Sequence, residues 1–532
     1  MAFCEQCGAR LTPGSRFCEE CGAVVEVDAV GKGTGSRDAA QPSESSLFKN
    51  NTWEIAWEKA ASSCGEADLG FIVTRERALL KQTAVESREY NLLIDGYISN
   101  AKNRGVHYYY LNLEDCAFYR GEGDVDSVVE ALRKVVSIAR PKYLMILGNE
   151  EIIDVARWKN QAEDGDGEVE SDLCYSTLDI NTPWNGQKYD FDEVMRVGRL
   201  PTFRNEGLQS FAAYFDGAMR YAGTMGRVIP YGLSALVWED ESNDEYKAIS
   251  SDKVDVSPEV TKNNVKDCIS PEANLLFFNL HGSNDTKYWY GQEGRSYPEA
   301  FDPSALLGRE SPYFLGVEAC YGARYLGGLV PDQSIVMTAM RNKCLAFLGS
   351  SKIAFGTPRP AGSCADIVIG DYIKCLTQGY SAGDAHLEGL KHLTSKKSLN
   401  DADIKTLAEF ALYGDPSVRM KPRMCALSDK NSNGLGLPKG LHIPMPDVRL
   451  AVQMALSEVD AKIEAVIDDY VVRNVMPILK QVGLAAAEQK VYKMQNTGLN
   501  QKIYRYRSGD IVQVAKVYFD DGGKINTALI SK

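Results

Sequence analysis

Asn274-Leu-Leu-Phe-Phe-Asn-Leu280-His281-Gly282, and further on Tyr313-Phe-Leu-Gly-Val-Glu-Ala319-Cys320-Tyr321-Gly322, are the stretches on which the fold turns. Each is a short, almost continuous apolar run that stops at a reactive residue. Such a run, closed by glycine, reads as a strand buried on both faces, as in a parallel sheet. In an open parallel sheet the ligand crevice lies at the carboxyl ends of the strands. His281 and Cys320, 39 positions apart, would therefore face one crevice. Together they supply a thiolate nucleophile and a proton donor for a leaving amine. Gly282 lets backbone N–H groups approach an oxyanion, with the amide of Cys320 as a second donor.

Singly, each residue has a plainer explanation. A His-Gly pair after a strand is a common turn, and a cysteine in an apolar run is usually core. Context favours the pair. Of the five histidines, His107 falls inside a strand run, His386 and His392 on a helical segment, and His442 in a proline-rich stretch. Only His281 stands at a strand end.

Outward from these runs the pattern alternates. Further buried strands are expected at Leu69–Thr74, His107–Leu113, Tyr143–Gly148, Gly232–Trp238 and Leu345–Ser350. Helical periodicity fills Ala78–Asn103, Val125–Ala139, Glu206–Tyr221, Ala365–Thr377 and Asp401–Leu412. Strands alternating with helices predict an α/β fold, a mainly parallel sheet flanked by helices. A Gly/Pro/Asn/Ser-rich stretch at 422–446 closes this domain, which spans 51–421. Beyond it, a small C-terminal α+β module is expected at 447–532. It comprises a helix over Val448–Leu484 and short antiparallel strands at Lys490–Met494, Lys502–Arg507, Ile511–Phe519 and Lys524–Ile530, with a hairpin turn at Asp520-Asp-Gly-Gly523.

The N-terminus carries two near-copies of one unit, Cys4-Glu-Gln-Cys7-Gly8 and Cys18-Glu-Glu-Cys21-Gly22. A two-residue spacer lets a cysteine pair bind zinc from one tight turn, so residues 1–24 read as a zinc ribbon with Cys4, Cys7, Cys18 and Cys21 around a structural zinc. A flexible linker rich in Gly, Ser, Asp, Ala and Gln follows at 25–50. Few surface residues are left on the ribbon, mainly Arg10, Arg16 and Phe17, which favours protein contact.

Composition narrows the classes. With 59 Lys+Arg against 72 Asp+Glu, the net charge of −13 argues against nucleic-acid binding at large. No apolar run is long enough for a membrane span, and the N-terminus has no secretory signal pattern. The cysteines number 13, an odd count, and those outside the ribbon sit mostly in apolar segments. This predicts a reduced, cytoplasmic setting, with those cysteines acting mostly as small buried hydrophobes.

From about 140 to 421 the chain resembles the gingipain family of caspase-like cysteine peptidases. The matching stretches come in family order: Tyr143-Leu-Met-Ile-Leu-Gly148-Asn-Glu-Glu151, Ser171-Asp172-Leu-Cys-Tyr175, Val197-Gly-Arg-Leu-Pro201, His281-Gly282, Glu318-Ala-Cys320, Leu348-Gly-Ser-Ser351 and Tyr413-Gly-Asp-Pro-Ser-Val418. The resemblance implies a caspase-like fold, Cys320 as nucleophile and His281 as general acid/base. It also implies Asp172 as the substrate-binding acid for a basic residue before the scissile bond, and Glu150 or Glu151 as orienting His281. Asp172 can equally be read as a solvated residue of the acidic loop that begins at Glu163. The zinc ribbon, the C-terminal module and the lack of a signal pattern depart from the family's secreted members. These departures point away from digestion, toward a regulated endopeptidase in signalling or antiphage defence that acts on protein substrates under a regulatory partner or activator. The contrasting expectation is a catalytically silent adaptor working through the ribbon and the C-terminal module.

Overall fold

The apolar runs pair into one ten-stranded sheet. The computed structural model describes residues 68–421, except 117–118, 139, 182–193, 222–226, 327–330, 359–361 and 397–398, and residues 454–532, except 458 and 495–496. The expected zinc ribbon (1–24) and both expected linkers (25–50 and 422–446) lie outside the described residues. The strands are β1 (Asp68–Thr74), β2 (Val106–Asn112), β3 (Tyr143–Leu147), β4 (Arg196–Leu200), β5 (Pro230–Ala235), β6 (Asp255–Ser257), β7 (Leu275–Asn279), β8 (Tyr313–Val317) and β9 (Cys344–Ser350). Two more follow, β10 (Phe355–Gly356) and β11 (Phe410–Gly414). The sheet order is β2-β1-β3-β4-β11-β9-β8-β7-β5-β6.

Every neighbour pair in this sheet is parallel except β9–β11. The sheet is thus two parallel halves that run in opposite directions and meet at that seam. The consequence for the site is direct: β7 and β8 are parallel neighbours in one half, so their carboxyl ends share an edge. The strand β3 belongs to the other half and ends at the opposite edge. Residues of β7, β8 and β9 are all buried, as expected for strands flanked by helices on a parallel sheet.

The helices follow the local signals. The expected helix over Ala78–Asn103 is two, α1 (Glu76–Thr83) and α2 (Ser87–Asn103), broken where Ala84 adopts a left-handed φ of 59°. Next come α3 (Val125–Ile138), α4 (Gln209–Arg220), α5 (Glu239–Tyr246), α6 (Ile335–Arg341), α7 (Ala365–Thr377), α8 (Ala382–Thr394) and α9 (Asp401–Glu409). Ser334 and Ser381 cap α6 and α8, and Asn400 with Asp403 forms a capping box on α9. The segment read as one helix to Leu412 ends at Glu409, and the chain passes straight into β11. Strand pairing with β9 and β4 overrides the helical periodicity there.

The C-terminal part differs more from expectation. The single helix expected over Val448–Leu484 is instead a strand, β12 (Met454–Leu456), then α10 (Ala461–Tyr470), a π-helical turn at Val471–Val475 and a short helix at Ile478–Val482. Pro477 stops the helix by withholding a donor. The expected antiparallel strands are present as β13 (Glu488–Met494), β14 (Asn500–Ser508), β15 (Ile511–Phe519) and β16 (Ile525–Ser531). Their sheet does not stand apart. Its order is β10-β16-β15-β14-β13-β12, so a strand from the peptidase region forms one edge.

Buried ion clusters fix the frame. Lys405 Nζ lies 2.6 Å from both Asp164 and Asp166 and donates to the Ile353 carbonyl at 3.0 Å, pinning the segment that leads into β10. Burial pushes the adjacent Glu409 up to about 8, against the pull of Lys405. The Asp415 carboxylate, in the Gly-Asp-Pro stretch, accepts from the Tyr97 and Tyr108 hydroxyls and from Arg104. That motif is structural. It ties the end of β11 to α2 and β2. Of the scattered cysteines among the described residues, Cys116, Cys174, Cys344, Cys364 and Cys375 are buried, whereas Cys268 is exposed.

Candidate active site

β7 delivers His281 into a small three-stranded sheet, where His281 pairs with Tyr290 and Gly282 with Trp289. The imidazole is buried between aromatic rings, with Trp238 at 4.2 Å and Tyr297 at 5.3 Å between centroids. Its Nε2 lies 2.7 Å from Oε1 of Gln292. The Gln292 amide is oriented by donating from Nε2 to the Gly294 carbonyl and the Tyr297 hydroxyl, so its oxygen faces the ring. A proton on Nε2 is the form that this oxygen accepts, which leaves Nδ1 as the basic nitrogen of that tautomer. Burial lowers the His281 pKa to about 3, with Gln292 opposing and the Lys532 ammonium reinforcing the shift. The ring is neutral at rest.

β8 delivers Cys320 to the same edge. Tyr321 follows with a left-handed φ of 51°, which turns the chain sharply after the thiol. The sulfur lies 3.6 Å from the Ala354 carbonyl, and burial raises the thiol well above its ordinary range. Glycine at 282 is required by close approach, because a Cβ there would collide with the Cys320 carbonyl oxygen. That contact places the histidine strand end directly against the backbone of Cys320. The Cys320 N–H donates to the carbonyl of Lys532 at 3.2 Å.

The two reactive residues are covered. His281 and Cys320 are 1% and 2% exposed. Cys320 packs in an apolar cluster with Phe355 and with Val514 and Leu529 of the C-terminal sheet. Gln513 of β15 donates from Nε2 to Gln292 Oε1 at 3.0 Å, and the same nitrogen lies 3.5 Å from Nε2 of His281. Ser283 donates to the Asp510 carbonyl at 2.8 Å, and the fully buried Lys516–Asp401 pair (2.6 Å) joins β15 to α9. Beside this lid a cleft of about 440 Å³ remains, lined by Cys320, Tyr321, Gly282, Asp172 and Arg505 among others.

The other expected site residues make the following contacts. Asp172 lines the cleft, but its carboxylate is held by Arg199 through two hydrogen bonds of 2.8 and 2.6 Å. Arg199 is fully buried and also donates to the carbonyls of Gly148 and Ile153. Asp172 is thus neither a solvated loop residue nor an unengaged acid. Glu151 pairs with Arg204 and accepts from Gln82, and Glu150 follows β3 in the half of the sheet that ends at the opposite edge. The side chain within hydrogen-bond distance of His281 Nε2 is Gln292, a neutral amide. Cys4, Cys7, Cys18 and Cys21 lie outside the described residues. Trp238, Gln292 and Gln513 were not singled out from sequence. They come from separate segments, and no local pattern links them to His281.

A histidine and a cysteine on adjacent strand ends of a mainly parallel, helix-flanked sheet define the class as a caspase-like cysteine peptidase. Residues 94–421 match the model of peptidase family C25, and residues 3–25 match that of a zinc-ribbon domain. The chain belongs to peptidase family C25, whose members are cysteine endopeptidases, and it carries an N-terminal zinc ribbon. No curated protein matches it. A solved structure described as "Structure of Protease" has a TM-score of 0.45 and 12% identity to it, covering 87% of this chain and 91% of that one. The C-terminal sheet from β12 to β16 lies beyond the family match. Among the described residues no helix is long and apolar enough to cross a membrane.

Proposed function

We propose that the chain is a regulated cysteine endopeptidase that cuts after Arg or Lys in specific protein substrates. In this reading Cys320 is the nucleophile and His281 the general acid/base. The observation that carries it is the seating of the His281-Gly282 strand end on the Cys320 backbone. Thiol proton transfer to Nδ1 of His281 gives the thiolate, which attacks the scissile carbonyl. The resulting oxyanion takes the Cys320 N–H, with the Gly282 backbone alongside. His281 then protonates the leaving amine, and water hydrolyses the thioester.

Regulation is supported by the cover over the dyad. A neutral, enclosed imidazole and a buried, protonated thiol are a resting state, and the C-terminal sheet must move for a substrate to reach the sulfur. Work inside the cell, in signalling or antiphage defence with an activating partner, fits an enzyme that is silent until uncovered. Cys4, Cys7, Cys18 and Cys21 would hold a structural zinc in the ribbon. The same burial also favours a second reading, an adaptor that has kept the fold and binds through the ribbon and C-terminal module. One experiment divides the two: profiling a peptide library with wild type and Cys320→Ala, with and without cell extract. Cleavage after basic residues that vanishes in Cys320→Ala is expected. No cleavage under any condition would leave the adaptor.

A further inference from the structure

We propose that Glu318, Asp366 and Glu245, closed by Trp238, form the pocket that selects lysine before the scissile bond, and that β16 with Lys532 is its built-in occupant. The proposal rests on Cys320 being the nucleophile and deepens that reading. It moves the basic-selecting acid from Asp172 to a different set of residues.

The backbone gives the first argument. β16 lies antiparallel to β10, with Ser531 opposite Phe355 and Ile530 opposite Gly356. The ladder continues when the Lys532 N–H donates to the Ala354 carbonyl at 2.9 Å. The next acceptor in line, the Lys532 carbonyl, takes the N–H of Cys320 at 3.2 Å. An extended segment added to a short edge strand, with one carbonyl on the amide of the nucleophile, is how a peptide substrate docks by strand addition. Residues 530–532 thus hold the register of the three residues that precede a cleavage point, with Lys532 last.

The side chain gives the second. The Lys532 ammonium lies 3.2 Å from Asp366 and 3.3 Å from Glu318, all three side chains 0–1% exposed, and 4.7 Å from the centroid of Trp238. Glu245, Glu318 and Asp366 offer oxygens within 4.8 Å of one another, a cage for one compact cation. Trp238 also packs against His281, with the rings tilted by 54°, so one indole borders both the pocket and the imidazole.

The electrostatics set the selectivity. Burial raises Glu318 and drives Glu245 well above its ordinary range, with Glu318 adding to the shift of Glu245. Carboxylates that crowded are costly to ionise without a cation, and a neutral side chain would leave them unpaired. A small ammonium suits a closed cage better than a broad guanidinium, so lysine is preferred to arginine. Asp172 cannot serve in this way, because Arg199 already fills its hydrogen-bonding edge.

The segment is also part of the lid. Ser531 Oγ accepts from the Val514 N–H at 2.8 Å, and β16 pairs with β15 along its length. Occupant and cover therefore move together. The competing explanation is a buried ion cluster that only fastens the C-terminal sheet.

The test measures alkylation of Cys320 in the full chain by two acyloxymethyl ketone peptides, Ala-Leu-Ile-Ser-Lys and its norleucine counterpart, using intact mass. The lysyl probe should react at least tenfold faster than the norleucyl one, in wild type and in Lys532→Met. Lys532→Met should accelerate the lysyl probe at least tenfold over wild type, with a melting curve confirming that the variant is folded. In that background Asp366→Asn should bring the lysyl-to-norleucyl ratio close to one. Equal rates for the two probes in wild type and in Lys532→Met would reduce the cluster to a fastening and overturn the proposal. Lysyl labelling that persists in Cys320→Ala would overturn the dyad reading instead.

Discussion

Two acidic centres, one lining the cleft and one fully enclosed, stand on the site, and they differ in who neutralises them. Asp172 is matched by Arg199, a residue of the central sheet itself, through a two-pronged bond whose donor is further tied to two backbone carbonyls. Glu318 and Asp366 are matched by Lys532, on a strand that belongs to the C-terminal sheet. The first cation cannot leave without unfolding its strand. The second leaves whenever its strand does. An acid whose partner is built into the frame is architecture, whereas an acid whose partner sits on a separable element is free to exchange it for another cation.

The strongest challenge to this contrast is to remove each cation. Arg199→Met strands a buried carboxylate and two carbonyls, and should cost about 3–5 kcal/mol in urea unfolding. Lys532→Met leaves Glu318 and Glu245, both raised by burial, able to take up protons, so its loss should be smaller, about 2 kcal/mol or less, and should come with gained reactivity at Cys320. Equal losses in the two variants, with no gain in reactivity, would erase the distinction.

Acid should separate the centres further. His281 stays neutral in the fold down to about 3 and His386 down to about 4, while both protonate near 6.5 when unfolded. The native state then binds fewer protons over that window. Its stability is full above pH ~6.5 and falls as pH drops, by about 2 kcal/mol for each histidine between pH 7 and 5. Because His281 adjoins the Lys532 cluster, the lid should loosen first, seen as faster alkylation of Cys320 before global melting shifts. The smallest effect concerns the cation's shape. Replacing lysine by arginine in the peptide probe should slow it by a factor of about ten or less, and a faster arginyl probe would argue for a roomier pocket.

Much of this was legible in the chain, for identifiable reasons. The runs before His281 and Cys320 are short, almost continuously apolar and closed by glycine, so strands and reactive ends could be placed together. The β11 strand was hidden because Phe410–Gly414 continues a helical pattern without a turn signal, and only its pairing to β9 decides it. At the site, Glu318 lies in a recognisable Glu-Ala-Cys stretch, yet nothing local marks it as a pocket wall. Trp238, Asp366 and Lys532 reach it from three separate elements, and such a meeting leaves no periodic trace. The pairing of Asp172 with Arg199 was likewise invisible, though both residues sit in motifs that the sequence singles out.

The seat taken by Lys532 also has a kinetic consequence. An occupant tethered within the same molecule competes at an effective concentration of about millimolar, whatever the dilution of the protein. A free peptide meeting this enzyme must outbid that internal rival, so its apparent affinity is reduced by the small fraction of time the cleft stands open. A substrate that also grips another surface gains its own local concentration and wins the exchange. Selection among protein targets can thus be strict even though the pocket reads a single common side chain.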